Sequence, residues 1–327
     1  MAGQAVDQAV DQAGAGPARP RAFEVRQQVD AWERHNGETL LGLRCAVRDR
    51  SAFTAREVNL QLDDVHLAHV RATPHRVVRD GALIADRPVD AVVVYAALRG
   101  EAVLELAGVR RVMRPGQLVV CDADRPFARG FAHGVEELAV RVPVAALEAR
   151  TGGLRLGTPV VVDARGPGDD PVARALVRAV GRAVDAPVPV PADEEALLDL
   201  VAVLASAGRA ASPVAHRAAA RAWIDDHLAD PTLSATAVAA GAGVSERTLS
   251  RLFAESGTSV PRYVLARRLA RAHALLRHPD LAGVRVADIA ARCGFTSVPH
   301  FSQAFRTRYG ATPGQVRHEP EATERPA

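Results

Sequence analysis

Lysine is absent from the sequence, and all 41 basic residues are arginine. This absence excludes chemistry that needs a lysine amine: Schiff-base formation, attachment of pyridoxal phosphate and the phosphate-binding lysine of a P-loop. Codon usage in a GC-rich genome accounts for the choice of arginine, because alanine, valine, glycine and proline are also abundant. The arginines must therefore be judged by their position in the chain, and not by their number.

Cysteine is scarce, and long apolar runs are missing. Cys45, Cys121 and Cys293 lie far apart without CxxC spacing, which excludes a disulfide framework or a zinc ribbon and fits a reducing cytoplasm. No apolar run approaches the ~18 residues of a membrane span. Residues 1–20 lack the apolar core of a signal peptide and read as a solvated tail. We therefore predict a cytoplasmic protein that has no membrane partner.

Motifs of the common enzyme classes are also missing, including GxSxG, HExxH and the P-loop. One enzyme class to consider is the metal-dependent cupin, whose motif has two histidines one residue apart followed by a glutamate. The candidate histidines here are wrongly spaced or isolated: His66, His69, His75 and His133. Glu136 and Glu137 would point to opposite faces of a strand, and we expect both to be solvated. We predict no catalytic residue, no metal site and no cofactor.

Charge is unevenly distributed along the chain. The formal net charge is +3, but residues 213–318 carry 14 arginines against seven acidic residues, and the remainder carries 27 against 31. Seven of the 13 aromatic residues fall in the same region, which indicates a small helical core. Because arginines that neutralise phosphates release counterions, this basic region favours nucleic acid as its partner.

Short apolar runs separated by turns occupy the N-terminal part of the chain, at 91–98, 102–106 and 117–121. Strands so spaced predict an antiparallel barrel or sandwich. Residues 170–184 and 193–207 instead have helical periodicity, and a proline-rich break at 187–191 separates them. We predict that these two segments form a helical hairpin.

Two segments of the C-terminal third are similar to each other at a spacing of 51 to 52 residues. The first copy is VAAGAGVSERTLSRLFAESGTSVP, from Val238, and the second copy is IAARCGFTSVPHFSQAFRTRYGATP, from Ile289. In each copy a short amphipathic helix is followed by a glycine, which adopts a left-handed conformation at low cost. A serine then provides a good N-cap for the next helix. A helix, a glycine turn and a capped helix make a helix-turn-helix, which occurs twice.

The second helix of each copy has one apolar and one polar face. Leu249 and Phe253 in the first copy, and Phe301 and Phe305 in the second, are predicted to be buried. Residues 261–277 are predicted to form one helix between the copies, with four of its arginines exposed: Arg262, Arg267, Arg268 and Arg271.

The stretch GFTSVPHFSQAFRTRYGATPGQVR, at 294–317, carries a resemblance to a known family. With it, residues 213–318 resemble the DNA-binding region of the AraC/XylS family of bacterial transcription regulators. Gly241 and Pro299 depart from the family pattern. The resemblance implies that the outward residues of the two second helices read bases: Arg247, Ser250, Arg251, His300, Ser302 and Gln303. It also implies phosphate contacts from Ser245, Ser297 and Arg306.

The stretch VVVYAALRGEAVLELAGVRRVMRPGQLVVCDADRPFARGF, at 92–131, is similar to the cupin-like sensing domain of the same family. This resemblance implies a small-molecule effector in the barrel and a homodimer formed through the helices at 170–207. It also implies double-stranded DNA and RNA polymerase as partners, and a bacterial cytoplasmic protein that is nucleoid-associated when bound to DNA. Activation is the usual mode of the family.

We therefore predict an α+β protein of two domains: an N-terminal antiparallel, cupin-like β-barrel with a helical hairpin, and a C-terminal all-α double helix-turn-helix. The predicted boundaries are a disordered tail at 1–20, the sensing and dimerisation domain at 21–208 (barrel to about 165, helices at about 170–207), a linker at 209–213, the DNA-binding domain at 214–318 and a tail at 319–327. The predicted function is sequence-specific transcription activation under effector control. Two alternatives stay open: a constitutive DNA-binding regulator whose barrel only dimerises, and a cupin enzyme fused to a DNA-binding domain.

Overall fold

The computed structural model describes residues 18–106, 108–153, 155–166, 168–207 and 212–318. These residues form two compact units, one at 19–222 and the other from Trp223 onward. Most of the predicted N-terminal tail, the predicted C-terminal tail and residues 209–211 of the predicted linker lie outside the described residues. The predicted domain boundaries therefore stay predictions.

The first unit contains two antiparallel sheets. Its strands are β1 (Arg21–Arg26), β2 (Arg44–Ala46), β3 (Thr54–Gln61), β4 (His66–Ala72), β5 (His75–Arg79), β6 (Ala91–Arg99), β7 (Ala102–Leu106), β8 (Val109–Met113), β9 (Gln117–Asp122), β10 (Phe127–Phe131), β11 (Val135–Pro143) and β12 (Val160–Asp163). The seven-stranded sheet has the order β1-β3-β4-β11-β6-β9-β12, and the five-stranded sheet has the order β2-β5-β10-β7-β8. The predicted antiparallel β domain is confirmed.

Helices pack on the first unit and make up the second. They are α1 (Val29–Glu38), α2 (Gly81–Asp86), α3 (Val144–Thr151), α4 (Pro171–Val184), α5 (Glu194–Ala205), α6 (Ser212–Asp226), α7 (Ala235–Gly241), α8 (Glu246–Glu255), α9 (Val260–Leu276), α10 (Val286–Arg292), α11 (Val298–Tyr309) and α12 (Pro313–His318). The division between the units falls within α6. Among the described residues, no helix combines the length and the apolar character that crossing a bilayer requires.

Both faces of the seven-stranded sheet are buried over its centre. On β6, Val93 and Tyr95 join a core that also contains Leu104 and Phe127 of the five-stranded sheet. Val92 and Val94 point to the opposite face and pack with residues of α4 and α5. This double burial explains why β6 reads as a continuous apolar run and not as an alternating one.

The helical hairpin predicted at 170–184 and 193–207 is confirmed as α4 and α5. Asp170 and Asp193 cap these helices, because their side chains accept hydrogen bonds from amides of the first turn. Every residue of α5 from Ala196 to Ala205 is buried. Of the two helices, α4 therefore keeps an outward face, which carries the exposed Arg174 and Arg178.

Asp199 of α5 is fully buried and is the centre of an ion-pair cluster. Arg217 of α6 donates from two nitrogens to the two carboxylate oxygens, each at 2.7 Å. Arg221 of α6 donates at 3.0 Å, and the Nε of Arg150 on α3 lies 3.5 Å away. A buried carboxylate is tolerated only when it is paired and hydrogen-bonded. This cluster therefore fixes α3, α5 and the first part of α6 together.

Glu136 and Glu137 of β11 point to opposite faces of the sheet, but the expectation that they are solvated is wrong. Glu137 is 4% exposed, and its Oε1 accepts a hydrogen bond from Nη1 of Arg129 at 2.8 Å. The Arg129 guanidinium also lies 3.8 Å from the ring centre of Tyr95. The side chain of Glu136 is 15% exposed on the outer face. Each carboxylate is thus paired with an arginine of another strand. The adjacent sequence positions of Glu136 and Glu137 do not reveal these partners.

All three cysteines are free thiols, as the sequence predicts. Burial raises the pKa of Cys121 to about 12 and that of Cys293 to about 11. These thiols therefore stay protonated and unreactive at neutral pH.

Both predicted helix-turn-helix copies are present in the second unit. In the first copy the Ser245 hydroxyl accepts a hydrogen bond from the Thr248 amide at 3.2 Å, and in the second Ser297 accepts from His300 at 3.4 Å. Gly241 has a packing role, because a Cβ there would lie 2.2 Å from Nε1 of Trp223.

The helix predicted between the copies is α9, but of its four arginines only Arg262 is exposed, and Arg267, Arg268 and Arg271 are half-buried. Arg267 donates to both carboxylate oxygens of Asp225, each at 3.0 Å. Arg268 donates to the carbonyl oxygens of Leu228 and Asp230 at 3.0 and 2.6 Å. Both arginines therefore tie α9 to the segment that precedes the first copy.

The two turn glycines, Gly243 and Gly294, provide a matched test of this packing. Both have positive φ, at 68° and 84°. A Cβ at Gly243 meets nothing within 4 Å, whereas one at Gly294 would lie 2.7 Å from the Leu228 carbonyl oxygen. We expect Gly243→Ala to destabilise the unit by about 1 kcal/mol, from backbone strain alone. Gly294→Ala should cost about 3 kcal/mol, because the backbone must also move.

Urea unfolding followed by Trp223 fluorescence, in a Trp32→Phe background, measures both changes. Trp32 belongs to the other unit, so its removal isolates the signal of the second unit. Equal destabilisation by the two substitutions would contradict the close approach at Gly294.

Burial of His66 gives the first unit a defined acid sensitivity. Burial, with the charges of Arg141 and His35, lowers the pKa of His66 from 6.5 to about 4. The folded state therefore favours the neutral ring, and its stabilisation is complete above pH 6.5 and is lost as the pH falls towards 4. We expect the unit to lose on the order of 3 kcal/mol over this range from His66 alone. In unfolding monitored by Trp32, His66→Gln should show a correspondingly flatter dependence, and the exposed His133→Gln should behave like the wild type. Trp32 measurements use a Trp223→Phe background, which isolates the signal of the first unit.

Candidate DNA-binding surface and sensing domain

The outward face of α8 is basic. Leu249, Leu252 and Phe253 are buried on its inner face. The predicted base readers Arg247, Ser250 and Arg251 are all exposed on the other side, so the structure brings these three residues onto one face. Arg251 donates to Glu255 at 3.3 Å, with both side chains largely in solvent. An exposed pair of this kind contributes little, so Arg251 can exchange it for a nucleic-acid partner.

The outward face of α11 is polar. His300, Gln303 and Arg306 are exposed, whereas Phe301 and Phe305 are fully buried. Ser302 is half-buried, because at 100° per residue it lies at the border of the two faces. The structure therefore places His300 and Gln303 together and leaves Ser302 to one side.

Thr307 also lies on the exposed face of α11, and sequence reasoning missed it. It is exposed, and its hydroxyl donates to the Gln303 carbonyl at 3.0 Å. The signal that would have found it is its spacing of four residues from Gln303, which puts both on one face of a helix.

Ser245 and Ser297 stand at the N-termini of these two helices. Their oxygens accept hydrogen bonds from the helix amides, and Oγ of Ser245 also lies 2.9 Å from Oγ1 of Thr248. The N-terminus of a helix carries partial positive charge and attracts phosphate. Both serines are therefore in positions suited to contact phosphate at the start of an exposed helix.

The interior of the first unit contains polar groups that make no hydrogen bond to the described residues. Glu57 is fully buried, and its carboxylate accepts no hydrogen bond among the described residues. Its Oε2 lies 3.2 Å from Nε2 of His35. The buried hydroxyl of Tyr95 likewise has no partner among the described residues, and burial raises the Tyr95 pKa. Such groups cost free energy unless something else satisfies them.

Sequence reasoning missed this interior set, although a weak signal was present. Ala55, Glu57 and Asn59 occupy every second position of β3 and are buried on the same face of the strand. Polar residues at inward positions of a strand indicate either buried ion pairs or a ligand site.

On the outer face of the sheet, His69, Glu136 and Asp185 come together. Nε2 of His69 lies 3.3 Å from Glu136, and Nδ1 lies 2.9 Å from Asp185. Burial lowers the pKa of His69, and this effect is larger than the rise that the charge of Asp185 causes. Burial acts to raise the pKa of Glu136, but the hydrogen bond and charge of Arg71 outweigh it and lower that pKa.

These three side chains could each offer one metal ligand, with the ligand atoms within 4.8 Å of one another. However, Nη2 of Arg71 lies 2.9 Å from Glu136 and 3.5 Å from Asp185, so a cation already occupies their shared side. The set therefore fits an ion network better than a metal site. Glu136 and Asp185 follow His69 far along the chain, so local spacing gave no sign of it.

Comparison with known proteins identifies both units. A family model described as an AraC-binding-like domain matches residues 32–234, more than half of the chain. A second, described as a helix-turn-helix domain, matches residues 238–319.

Individual relatives agree with these matches. The chain is 28% identical over 281 residues to the transcriptional activator NphR of a Rhodococcus species. The aligned region covers 83% of this chain and 82% of NphR. It is 41% identical over 97 residues to the HTH-type transcriptional activator RhaS of Escherichia coli. This aligned region covers 29% of this chain and 34% of RhaS.

Among solved structures, the AraC-like transcriptional activator CuxR aligns over 83% of this chain and all of its own, at 18% identity and a TM-score of 0.48. The family assignment rests on the sequence match at 32–234 and on the two helix-turn-helix copies. The chain belongs to the AraC family and is a DNA-binding transcription regulator.

Proposed function

We propose that this protein activates transcription by binding a defined double-stranded DNA sequence through both helix-turn-helix copies, under the control of a small-molecule effector. The observation that carries the proposal is the pair of serine-capped helices, α8 and α11. Each buries an apolar face and exposes a polar or basic one within the same unit. The names of NphR and RhaS as activators support the direction of control.

The side chains of this surface suit two different tasks. Base reading falls to Arg247, Ser250 and Arg251 of α8 and to His300, Ser302 and Gln303 of α11. Arginine can donate two hydrogen bonds to guanine, and glutamine can pair in the same way with adenine. Ser245, Ser297 and Arg306 contact phosphates, which fixes the register of the helices without reading sequence.

The effector binds in the barrel interior, where the Glu57 carboxylate and the Tyr95 hydroxyl make no hydrogen bond to the described residues and His35 is the ion-pair partner of Glu57. A ligand that satisfies these groups shifts the protein towards the arrangement in which it binds more tightly. Without such a differential affinity, the alternative holds: the barrel only dimerises, and DNA binding is constitutive.

Further partners follow from the proposed role. An activator in the bacterial cytoplasm must contact RNA polymerase, and a homodimer would present four helix-turn-helix copies to DNA. Since α5 is buried from Ala196 to Ala205, the exposed face of α4 is the larger part of the hairpin available for pairing. The role requires no catalysis.

Substitutions on the DNA-binding surface separate base reading from phosphate contact. Arg251→Ala should weaken binding to the preferred sequence by ~1–3 kcal/mol and relax the preference at one position. Arg306→Ala should weaken binding to all sequences about equally and reduce the slope of affinity against salt by about one. Arg262→Ala, on the exposed side of α9, is the matched control.

The preferred sequence is first selected from random DNA with the wild-type protein, and affinities are then measured by fluorescence anisotropy at several salt concentrations. Unchanged sequence preference in Arg251→Ala would make Arg251 a phosphate contact and would contradict its proposed role.

Effector control predicts that a metabolite stabilises the first unit. In a screen of metabolite pools, a pool that contains the effector should raise the temperature at which Trp32 fluorescence reports unfolding. A ligand that binds only the folded state stabilises it by mass action. Tyr95→Phe removes the partnerless hydroxyl and should reduce the shift. If no pool stabilises the wild type, constitutive DNA binding is the better description.

A further inference from the structure

A groove of about 610 Å³ opens at one end of the first unit, where three turns meet. The turns are those that follow β4, β6 and β10, and they contribute Thr73, Gly100 and Gly134 to the lining. The groove lies on the surface, apart from the barrel interior in which the effector is proposed to bind. Its volume lies within the range of small-molecule sites.

The turns at this end pack backbone against backbone. A Cβ at Gly100 would lie 2.5 Å from the carbonyl oxygen of Gly134, and a Cβ at Gly134 would lie 2.8 Å from that of Ala72. Both glycines have positive φ, at 78° and 81°. The base of the groove is therefore closely packed, and strands that end there carry its charged side chains.

Five charged residues cross the sheet beside these turns, and we call them the charge row. Strand register places Glu24 opposite Arg56, Arg56 opposite Arg71, Arg71 opposite Glu136 and Glu136 opposite Arg99. Residues directly opposite each other on neighbouring strands share a face of the sheet. All five line the groove, and they present three guanidinium groups against two carboxylates.

The charges in this row are unevenly paired. Glu136 lies 2.9 Å from Arg71 and 3.3 Å from Arg99, whereas the carboxylate of Glu24 lies 3.4 Å from Arg26. The Arg56 side chain is exposed and makes no hydrogen bond or ion pair with the described residues. Like charges directly opposite each other destabilise a sheet. The pair Arg56 and Arg71 therefore lacks the negative group that would bridge it.

We propose that this groove binds a small organic anion, whose carboxylate or phosphate group lies between the guanidinium groups of Arg56 and Arg71. Guanidinium groups donate parallel hydrogen bonds to either kind of oxyanion. Arg99, with its side chain 85% exposed, can reach a second anionic group of the same molecule.

The proposed site is connected to α4 through Arg71. Nη2 of Arg71 also lies 3.5 Å from Asp185, the residue that follows the last turn of α4. An anion that draws Arg71 towards Arg56 competes with Asp185 for the same guanidinium. Binding at the surface groove thereby changes the contacts that hold the end of α4 to the sheet.

The test uses the full chain in a phosphate-free Tris chloride buffer, with succinate and inorganic phosphate as separate probes. Sodium chloride at equal ionic strength is the reference. We expect one or both probes to raise the unfolding temperature reported by Trp32 in a saturable manner. Arg56→Gln should weaken the apparent affinity about tenfold, as expected for the loss of one charge-assisted contact. The control Arg111→Gln removes another exposed strand arginine and should behave like the wild type.

The outcomes separate the possible occupants. A response to succinate alone indicates a dicarboxylate ligand, and a response to phosphate alone indicates a phosphorylated one. Responses no larger than that to sodium chloride, or equal in Arg56→Gln and Arg111→Gln, overturn the proposal. A loss of DNA affinity in Arg56→Gln without any probe would assign the groove to DNA phosphate instead.

Arg56→Gln breaks no ion pair and removes a like charge opposite Arg71, so its unfolding temperature in sodium chloride should be no lower than that of the wild type. DNA affinity is measured in parallel with Arg251→Ala. A failure of anion binding therefore leaves the proposed DNA-binding role untouched, and the reverse also holds.

Discussion

Successive side chains of a strand point to opposite faces, and in the seven-stranded sheet both faces are buried over the centre. This constraint determines where the charged residues of the first unit lie. Glu137 meets Arg129 between the two sheets, and its neighbour Glu136 meets Arg71 on the outer face. The core, the interior polar groups and the groove are thus consequences of one alternation.

Features encoded within a few residues could be predicted from the sequence. Ser245 and Ser297 cap their helices, and Gly243 and Gly294 adopt positive φ, because the chain supplies each requirement locally. The same is true of α4 and α5, whose ends carry Asp170 and Asp193. The double helix-turn-helix could be identified because every element of it is local and is repeated.

Features that depend on distant partners could not be predicted. Arg267 and Arg268 read as solvated helix arginines, yet their partners lie about 40 residues earlier in the chain. Asp199 resembles an ordinary polar position of a helix until α6 brings Arg217 to it. The outward faces of α8 and α11 could be predicted. The border position of Ser302 could not, because it depends on how α11 packs.

The charge row also bears on how faithfully the sheet assembles. If any of its strands paired one residue out of register, every side chain of that strand would change face. The slipped arginine or glutamate would then enter the apolar layer between the sheets without a partner, which is far more costly than the pairing it replaces. The charge row therefore raises the free energy of misaligned folding intermediates in any of the five adjacent strands. It favours the native register as the sheet forms.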